Sequence, residues 1–105
     1  MMAGPVWADD WRILDGPAIT LALSSRALSY EDGSSQNFFA DGATSYKNGT
    51  TSLGRWQVLG DEYCSQWPPS DRWACYAVKA EAAGLDLRFV AADGSSTQGR
   101  YIDLN

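Results

Sequence analysis

Residues 63–76, YCSQWPPSDRWACY, place two cysteines on either side of a loop that contains a Pro-Pro pair. Cys64 and Cys75 lie among aromatic residues, which favour β-strands, and the WPPSD segment between them is typical of a turn. The pattern therefore predicts a β-hairpin. Directly opposed residues of an antiparallel pair lie close enough for a disulfide, so we expect the two cysteines to join the two strands.

A redox pair or a metal site is a weaker interpretation of these cysteines. Redox motifs use a closer spacing, such as C-x-x-C, and a neighbouring group that lowers the thiol pKa. A structural zinc site needs further ligands, and the chain contains two cysteines and no histidine. We therefore expect no metal and no cofactor, and we interpret the cysteines as a covalent staple.

Tight-turn pairs recur on both sides of this hairpin. Asp-Gly and Asn-Gly favour the positive φ angles of short hairpin turns, and the segments between them are rich in aromatic and β-branched residues. The turn pairs are Asp32-Gly33, Asp41-Gly42, Asn48-Gly49, Gly60-Asp61, Pro68-Pro69 and Asp93-Gly94. They predict about eight strands, near residues 27–31, 37–40, 44–47, 52–59, 62–66, 73–80, 85–91 and 99–104.

Alternating side chains indicate that these strands are buried on one face. Leu85, Leu87 and Phe89 share one face of their strand, whereas Asp86 and Arg88 take the other. Strands of this kind, joined by hairpins in sequence order, usually curl so that no sheet edge is exposed. The predicted fold class is therefore mainly β, an antiparallel meander that forms a small barrel or a strongly bent sheet.

The segment LDGPAITLALSS, which starts at Leu14, predicts one short N-terminal helix over residues 16–24. Its Asp-Gly pair supplies a cap, Pro17 suits an early helical position, and Ile19 and Leu23 are spaced for one helical face. A strand is the alternative, because the apolar residues also alternate over this short span. We expect the helix to cover one end or edge of the barrel.

Composition limits the classes of function. The chain has 105 residues, 45% of them hydrophobic and 20% charged, which fits a single globular domain. A net charge of −5 without a run of Lys or Arg disfavours nucleic acid and anionic membrane surfaces as partners. No apolar run approaches the roughly 20 residues of a membrane-spanning helix, so no membrane insertion is expected. The lack of histidine removes the commonest general base, and we do not expect an enzyme.

The first residues resemble the end of a secretory signal. Val6-Trp7-Ala8 is a variant of the small-residue cleavage pattern, and acidic residues follow it directly. We expect residues 1–8 to be a signal-peptide remnant and residues 9–105 to form one barrel-like domain; an ordinary N-terminus is the alternative. Export to the periplasm, an oxidising compartment, would suit the predicted disulfide.

The aromatic residues of the cysteine hairpin have two interpretations. They can fill the core, with Trp73 and the tyrosines covering the disulfide. They can also form a rigid contact surface, because a tryptophan beside stiff prolines on a closed loop has little conformational entropy to lose on binding. The candidate binding residues under the second interpretation are Trp67, Pro68, Pro69, Arg72 and Trp73.

The order of several motifs resembles a known group of proteins. These motifs are LDGPAITLAL, Tyr30 with Asp32-Gly33, Gly54-Arg55-Trp56, Gly60-Asp61 and the WPPS hairpin with its cysteines. Together they resemble the small exported lipocalin-like (calycin-type) domains of unknown function from Gram-negative bacteria. The resemblance implies a calycin-type barrel with a periplasmic address, and it brings no catalytic residues.

The functional prediction is an exported, non-catalytic binding or inhibitor-like domain that engages a protein or a small hydrophobic ligand. Side chains usually fill the interior of a small barrel, so a protein partner is slightly favoured. We expect a monomer or a weak homodimer. The alternative is a structural or stress-related envelope module that acts through dimerisation or an exposed sheet edge.

Overall fold

The computed structural model describes residues 10–102, so the predicted signal-peptide remnant, residues 1–8, lies outside the described residues. The described part of the chain forms one helix and nine strands. In chain order these are β1 (Trp11–Ile13), α1 (Gly16–Leu23), β2 (Arg26–Tyr30), β3 (Ser35–Phe38), β4 (Ala43–Asn48), β5 (Thr50–Leu59), β6 (Glu62–Gln66), β7 (Trp73–Glu81), β8 (Asp86–Val90) and β9 (Ser96–Tyr101). No helix among residues 10–102 is long and apolar enough to cross a membrane.

Strands β2 to β9 form a closed antiparallel barrel. Each strand pairs with the next in sequence, and β9 returns to pair with β2 through Leu28 and Tyr101. The predicted eight-stranded meander is therefore confirmed, as a closed barrel rather than a bent sheet. Strand β1 is additional and pairs with β7, with Arg12 opposite Ala80. It was not predicted, because three residues are too few to show alternation.

Five strands begin earlier than the sequence predicts, and β3 and β9 show why. The predicted strand 37–40 is Ser35–Phe38, and the predicted strand 99–104 is Ser96–Tyr101. Each follows an Asp-Gly-Ser-Ser segment whose second serine starts the strand. In both turns the aspartate Oδ1 accepts hydrogen bonds from the N–H and the hydroxyl of the serine two positions on. Because the turns are tight, Ser35 and Ser96 already belong to the sheet, although serine in such a segment usually indicates a loop.

Helix α1 has the predicted cap. The Asp15 carboxylate accepts a hydrogen bond from the Ala18 N–H at 3.0 Å, and Pro17 lies in the first turn. Ile19 and Leu23 are fully buried. The predicted helix is thus confirmed, and its apolar side packs against the barrel.

The helix covers the end of the barrel where β5 turns into β6. The Gly16 N–H donates to the Asp61 carboxylate at 2.8 Å, and a Cβ at Gly16 would lie 2.3 Å from the Gly60 carbonyl oxygen. At the other end of the helix, the Tyr101 hydroxyl donates to the Ala22 carbonyl at 2.7 Å. These contacts close one end of the barrel.

The interior next to the helix is filled with apolar side chains. Phe38 and Trp56 meet edge to face with their ring centroids 5.9 Å apart, and the Trp56 indole N–H donates to the Phe39 carbonyl at 2.9 Å. Buried with them are Ile19, Leu23, Leu28, Val78, Ala80 and Leu87. The apolar core therefore occupies the helix end of the barrel, whereas the opposite end contains a cavity.

Candidate ligand pocket at the open end of the barrel

The end of the barrel opposite the helix contains a cavity of about 500 Å³. Consecutive turns of an up-and-down barrel alternate between its two ends, so the β2–β3, β4–β5, β6–β7 and β8–β9 turns surround this opening. The cavity is lined by Tyr30, Asp32, Ser34, Gln36, Tyr46, Ser52, Tyr63, Ser65, Trp67, Pro68, Tyr76, Phe89 and Thr97. Most of these come from the mouth-facing ends of strands or from the turns beside them.

Six of the lining residues form a connected group of aromatic rings, which we call the aromatic belt. In order of contact they are Trp67, Tyr46, Tyr30, Phe89, Tyr63 and Tyr76. Neighbouring ring centroids are between 5.3 Å and 6.3 Å apart. These are the separations of favourable aromatic pairs, so the rings stabilise one another while they line the cavity.

A buried glutamine fixes two of the tyrosines from below. The Gln36 side chain donates through Nε2 to the Thr44 hydroxyl at 3.0 Å and to the Tyr63 hydroxyl at 3.1 Å. Its carbonyl oxygen accepts a hydrogen bond from the Tyr30 hydroxyl at 2.6 Å. A buried amide is costly unless it is hydrogen-bonded, so this network holds Tyr30 and Tyr63 in place.

Both of these tyrosines resist ionisation. Burial raises the pKa of Tyr30, and the neighbouring Tyr63, Tyr46 and Tyr76 raise it further. Burial also raises the pKa of Tyr63, although hydrogen bonds with Ser65 and Gln36 partly offset this effect. The two phenols therefore remain protonated at neutral pH and serve as hydrogen-bonding groups rather than as bases.

An alkaline titration should show this behaviour. The folded-state pKa values of Tyr30 and Tyr63 lie above the ordinary value of 10.0, so their contribution to stability is complete below pH 10 and is lost as the pH rises above it. We expect two tyrosines to gain phenolate absorbance only when the native circular dichroism is lost. Tyr30→Phe should remove one phenolate from this late step. Reversible ionisation of every tyrosine in the folded protein would contradict the assignment.

Comparison of the chain with protein-family models, curated proteins and solved structures found no match. The closed eight-stranded antiparallel barrel is consistent with a lipocalin-like fold. The case for the site therefore depends on the geometry of this chain.

Two of the five predicted binding residues line the cavity. Trp67 lines the cavity, and its indole N–H donates to the Ser65 hydroxyl at 3.2 Å. Pro68, joined to Pro69 by a cis peptide bond, also lines the opening. Tyr63, Ser65 and Trp67 share one face of the chain by alternation, and this face is the interior of the barrel.

The other three predicted residues lie away from the cavity lining. Pro69 and Arg72 are exposed in the β6–β7 loop, where the Arg72 N–H donates to the Ser70 hydroxyl at 3.2 Å. Trp73 is 37% exposed and pairs with Gln66 across the two strands. Trp67 and Trp73 thus belong to one hairpin, but only Trp67 lines the cavity.

The predicted disulfide is confirmed. Cys64 and Cys75 are directly opposed in the β6–β7 ladder, with their Cα atoms 4.0 Å apart, and Cys64 is fully buried. The adjacent pair, Tyr63 and Tyr76, points to the opposite face of the sheet and into the cavity. The disulfide therefore links the two strands that carry one side of the aromatic belt.

Sequence reasoning missed most of the belt and the glutamine beneath it. Tyr30, Tyr46 and Phe89 each lie just before a turn at the open end, as Trp67 does. A usable signal was present, because alternate turns of a meander lie at one end of a barrel. Aromatic residues that precede every second turn should therefore meet there.

Proposed function

We propose that this protein is an exported, periplasmic, lipocalin-like domain that binds a small, largely hydrophobic ligand in the open end of its barrel. The observation that carries the proposal is the cavity of about 500 Å³ lined by the aromatic belt. Ligand pockets typically measure about 300–1,000 Å³ and combine apolar walls with a few polar groups. An eight-stranded barrel can hold one small ligand when its side chains leave part of the interior free.

The polar groups of the pocket suit a ligand with a small polar part. Tyr30, Tyr63 and Gln36 satisfy one another, so they form a fixed floor. The hydroxyls of Tyr46 and Tyr76 make no hydrogen bond with another residue among residues 10–102. These two hydroxyls are therefore free to bond to a ligand while the rings pack against its apolar part.

The cavity favours a small ligand over a protein partner. A protein partner is favoured when side chains fill a small barrel, but here the apolar core fills the helix end and leaves a cavity at the other. An envelope module acting through a sheet edge has less support, because closure of the barrel pairs both sides of every strand from β2 to β9. The lined cavity therefore supports binding of a small ligand better than the other features support a protein partner or a sheet-edge contact.

Binding without catalysis fits the chemistry of the lining. Tyr30 and Tyr63 have raised pKa values, and Asp32 is the one carboxylate among the described lining residues. The periplasmic address is supported by the Val6-Trp7-Ala8 pattern and by the Cys64–Cys75 disulfide, which suits an oxidising compartment.

A matched pair of tryptophan substitutions tests the pocket. An uncharged apolar dye that fluoresces on leaving water, such as Nile red, should bind the unaltered protein. Trp67→Ala should weaken binding about tenfold or more, because it removes a large apolar contact of roughly 1.5 kcal/mol. Trp73→Ala, on the outer side of the same hairpin, should leave the affinity unchanged.

The dye experiment can fail in two clear ways. Absence of dye binding by the unaltered protein would count against a hydrophobic pocket. Equal loss of affinity in both tryptophan variants would place the contact on the outer surface of the hairpin. Thermal unfolding of each variant establishes that the binding comparison concerns folded protein.

A further inference from the structure

We infer that the ligand of this pocket is an organic cation, with an alkylated ammonium group held between the aromatic belt and the Asp32 carboxylate. The inference rests on the proposed function and specifies the chemical class of the ligand. Two features of the pocket support it: its lining carries one negative charge, on Asp32, and its aromatic rings lie beside that charge.

The charge of the lining has one sign. Among the described residues that line the cavity, Asp32 is the one with an ordinarily charged side chain, and none is a lysine or an arginine. The whole chain has a net charge of −5. An anionic ligand would find no opposite charge in this pocket, whereas a cation would be attracted both to Asp32 and to the overall field of the protein.

The rings of the belt are suited to a cation. Their interplanar angles between neighbours run from 29° for Tyr63 and Tyr76 to 69° for Tyr46 and Trp67, so they form a curved rather than a flat wall. A cation near the face of an aromatic ring is attracted by the ring quadrupole, and clusters of such rings recognise quaternary ammonium groups. Four tyrosines and one tryptophan, whose rings are electron-rich, are among the residues that line the cavity.

Asp32 is held beside these rings with one oxygen free. The Ser34 N–H, at 2.9 Å, and the Ser34 hydroxyl both donate to Oδ1, and no described residue donates to Oδ2. Hydrogen bonds from Ser34 also lower the pKa of the Asp32 carboxyl, so it stays ionised. Burial and three neighbouring tyrosines raise the pKa of the Tyr30 phenol most. The Asp32 carboxylate is near enough to raise it further.

A second turn supplies a matched control for Asp32. Asp93 accepts the same two hydrogen bonds from Ser95, in a turn with the same Asp-Gly-Ser-Ser sequence at the same end of the barrel. The backbone hydrogen bonds of the two turns also match. The carbonyls of Tyr30 and Ala91 accept from the turn glycine, and their N–H groups donate to the carbonyl of the first serine. Asp93 does not line the cavity. Replacing either aspartate therefore has the same local cost, but only Asp32 would contact the ligand.

The test compares choline with its uncharged isostere, in which a tert-butyl group replaces the trimethylammonium group. Binding of both probes is followed by chemical-shift changes of the pocket residues in the full chain. We expect choline to bind about tenfold more tightly than the isostere, because only the charged probe gains a cation–π attraction. Asp32→Asn should weaken choline binding about fivefold and leave the isostere unaffected, whereas Asp93→Asn should change neither.

The outcomes separate this inference from the proposed function. Equal binding of choline and the isostere would overturn the cation but would leave the hydrophobic pocket intact. Equal effects of the two aspartate substitutions on choline would also overturn it, because Asp32 would then act only through its turn. If neither probe binds, the cation is again rejected, and binding of the uncharged dye decides whether the pocket takes ligands.

Discussion

Removing the Cys64–Cys75 disulfide should lower the free energy of unfolding by about 3 kcal/mol. The bond closes a loop with a sequence separation of 11, and in the chain-entropy model a loop of this size restricts the unfolded chain by that amount. A domain of 105 residues has a total stability of about 5–15 kcal/mol, so the loss is a large fraction of it.

Urea unfolding with and without a reductant measures this contribution. The unaltered chain, reduced in the unfolded state and refolded, should unfold at a lower urea concentration than the oxidised chain. The double variant Cys64→Ala with Cys75→Ala should match the reduced chain and should not respond to the reductant. A reductant effect on the double variant, or none on the unaltered chain, would contradict the assignment.

Reduction should also weaken ligand binding in the protein that stays folded. Strands β6 and β7 carry Tyr63 and Tyr76, and the loop between them begins with Trp67 and Pro68. Loss of the cross-link frees this hairpin at the mouth of the barrel, so the aromatic belt loses pre-organisation. The affinity for the dye, measured without urea, should therefore be lower for the reduced protein than for the oxidised protein.

The fold was largely predictable because its signals are local. Asp-Gly and Asn-Gly pairs specify hairpin turns, alternation specifies which face of a strand is buried, and an order of neighbours follows from short connections. Strands β3 and β9, which begin earlier than predicted, show the limit of this reasoning. Ser35 and Ser96 have the composition of a loop, but the aspartate and serine side chains of the preceding turns are already satisfied, which lets the strand begin at once.

The pocket was less predictable because empty volume is a property of many strands together. Alternation groups Trp67 with Tyr63 and Ser65 on one face of their strand, but it does not show whether the residues that face them are large or small. Here the facing residue on β5 is Gly54, which leaves room for the indole ring. Sequence reasoning about one hairpin could not find that contact, since the two residues are 13 positions apart on different elements.

Gly54→Ala should displace the Trp67 ring and weaken ligand binding in the pocket. A Cβ at Gly54 would lie 2.6 Å from both the Gln66 carbonyl oxygen and the Trp67 ring, which is closer than real Cβ contacts. The backbone oxygen has little freedom to move, so the ring and the neighbouring strand must give way. We expect a loss of about 1–3 kcal/mol in stability, as in other overpacked sites, and a loss of dye binding at least as large as that of Trp67→Ala.

A double-mutant cycle shows whether the ring is what the methyl group displaces. Once Trp67 is alanine, the added Cβ no longer meets the indole ring, so Gly54→Ala should cost less stability and should weaken dye binding no further. Leu53→Ala serves as the control, because Leu53 is 71% exposed on the other face of β5 and should leave dye binding unchanged. Additive effects of the Gly54 and Trp67 substitutions on dye affinity would mean that the glycine acts through the strand backbone. In that case Gly54 would not be the residue that lets Trp67 enter the mouth of the barrel.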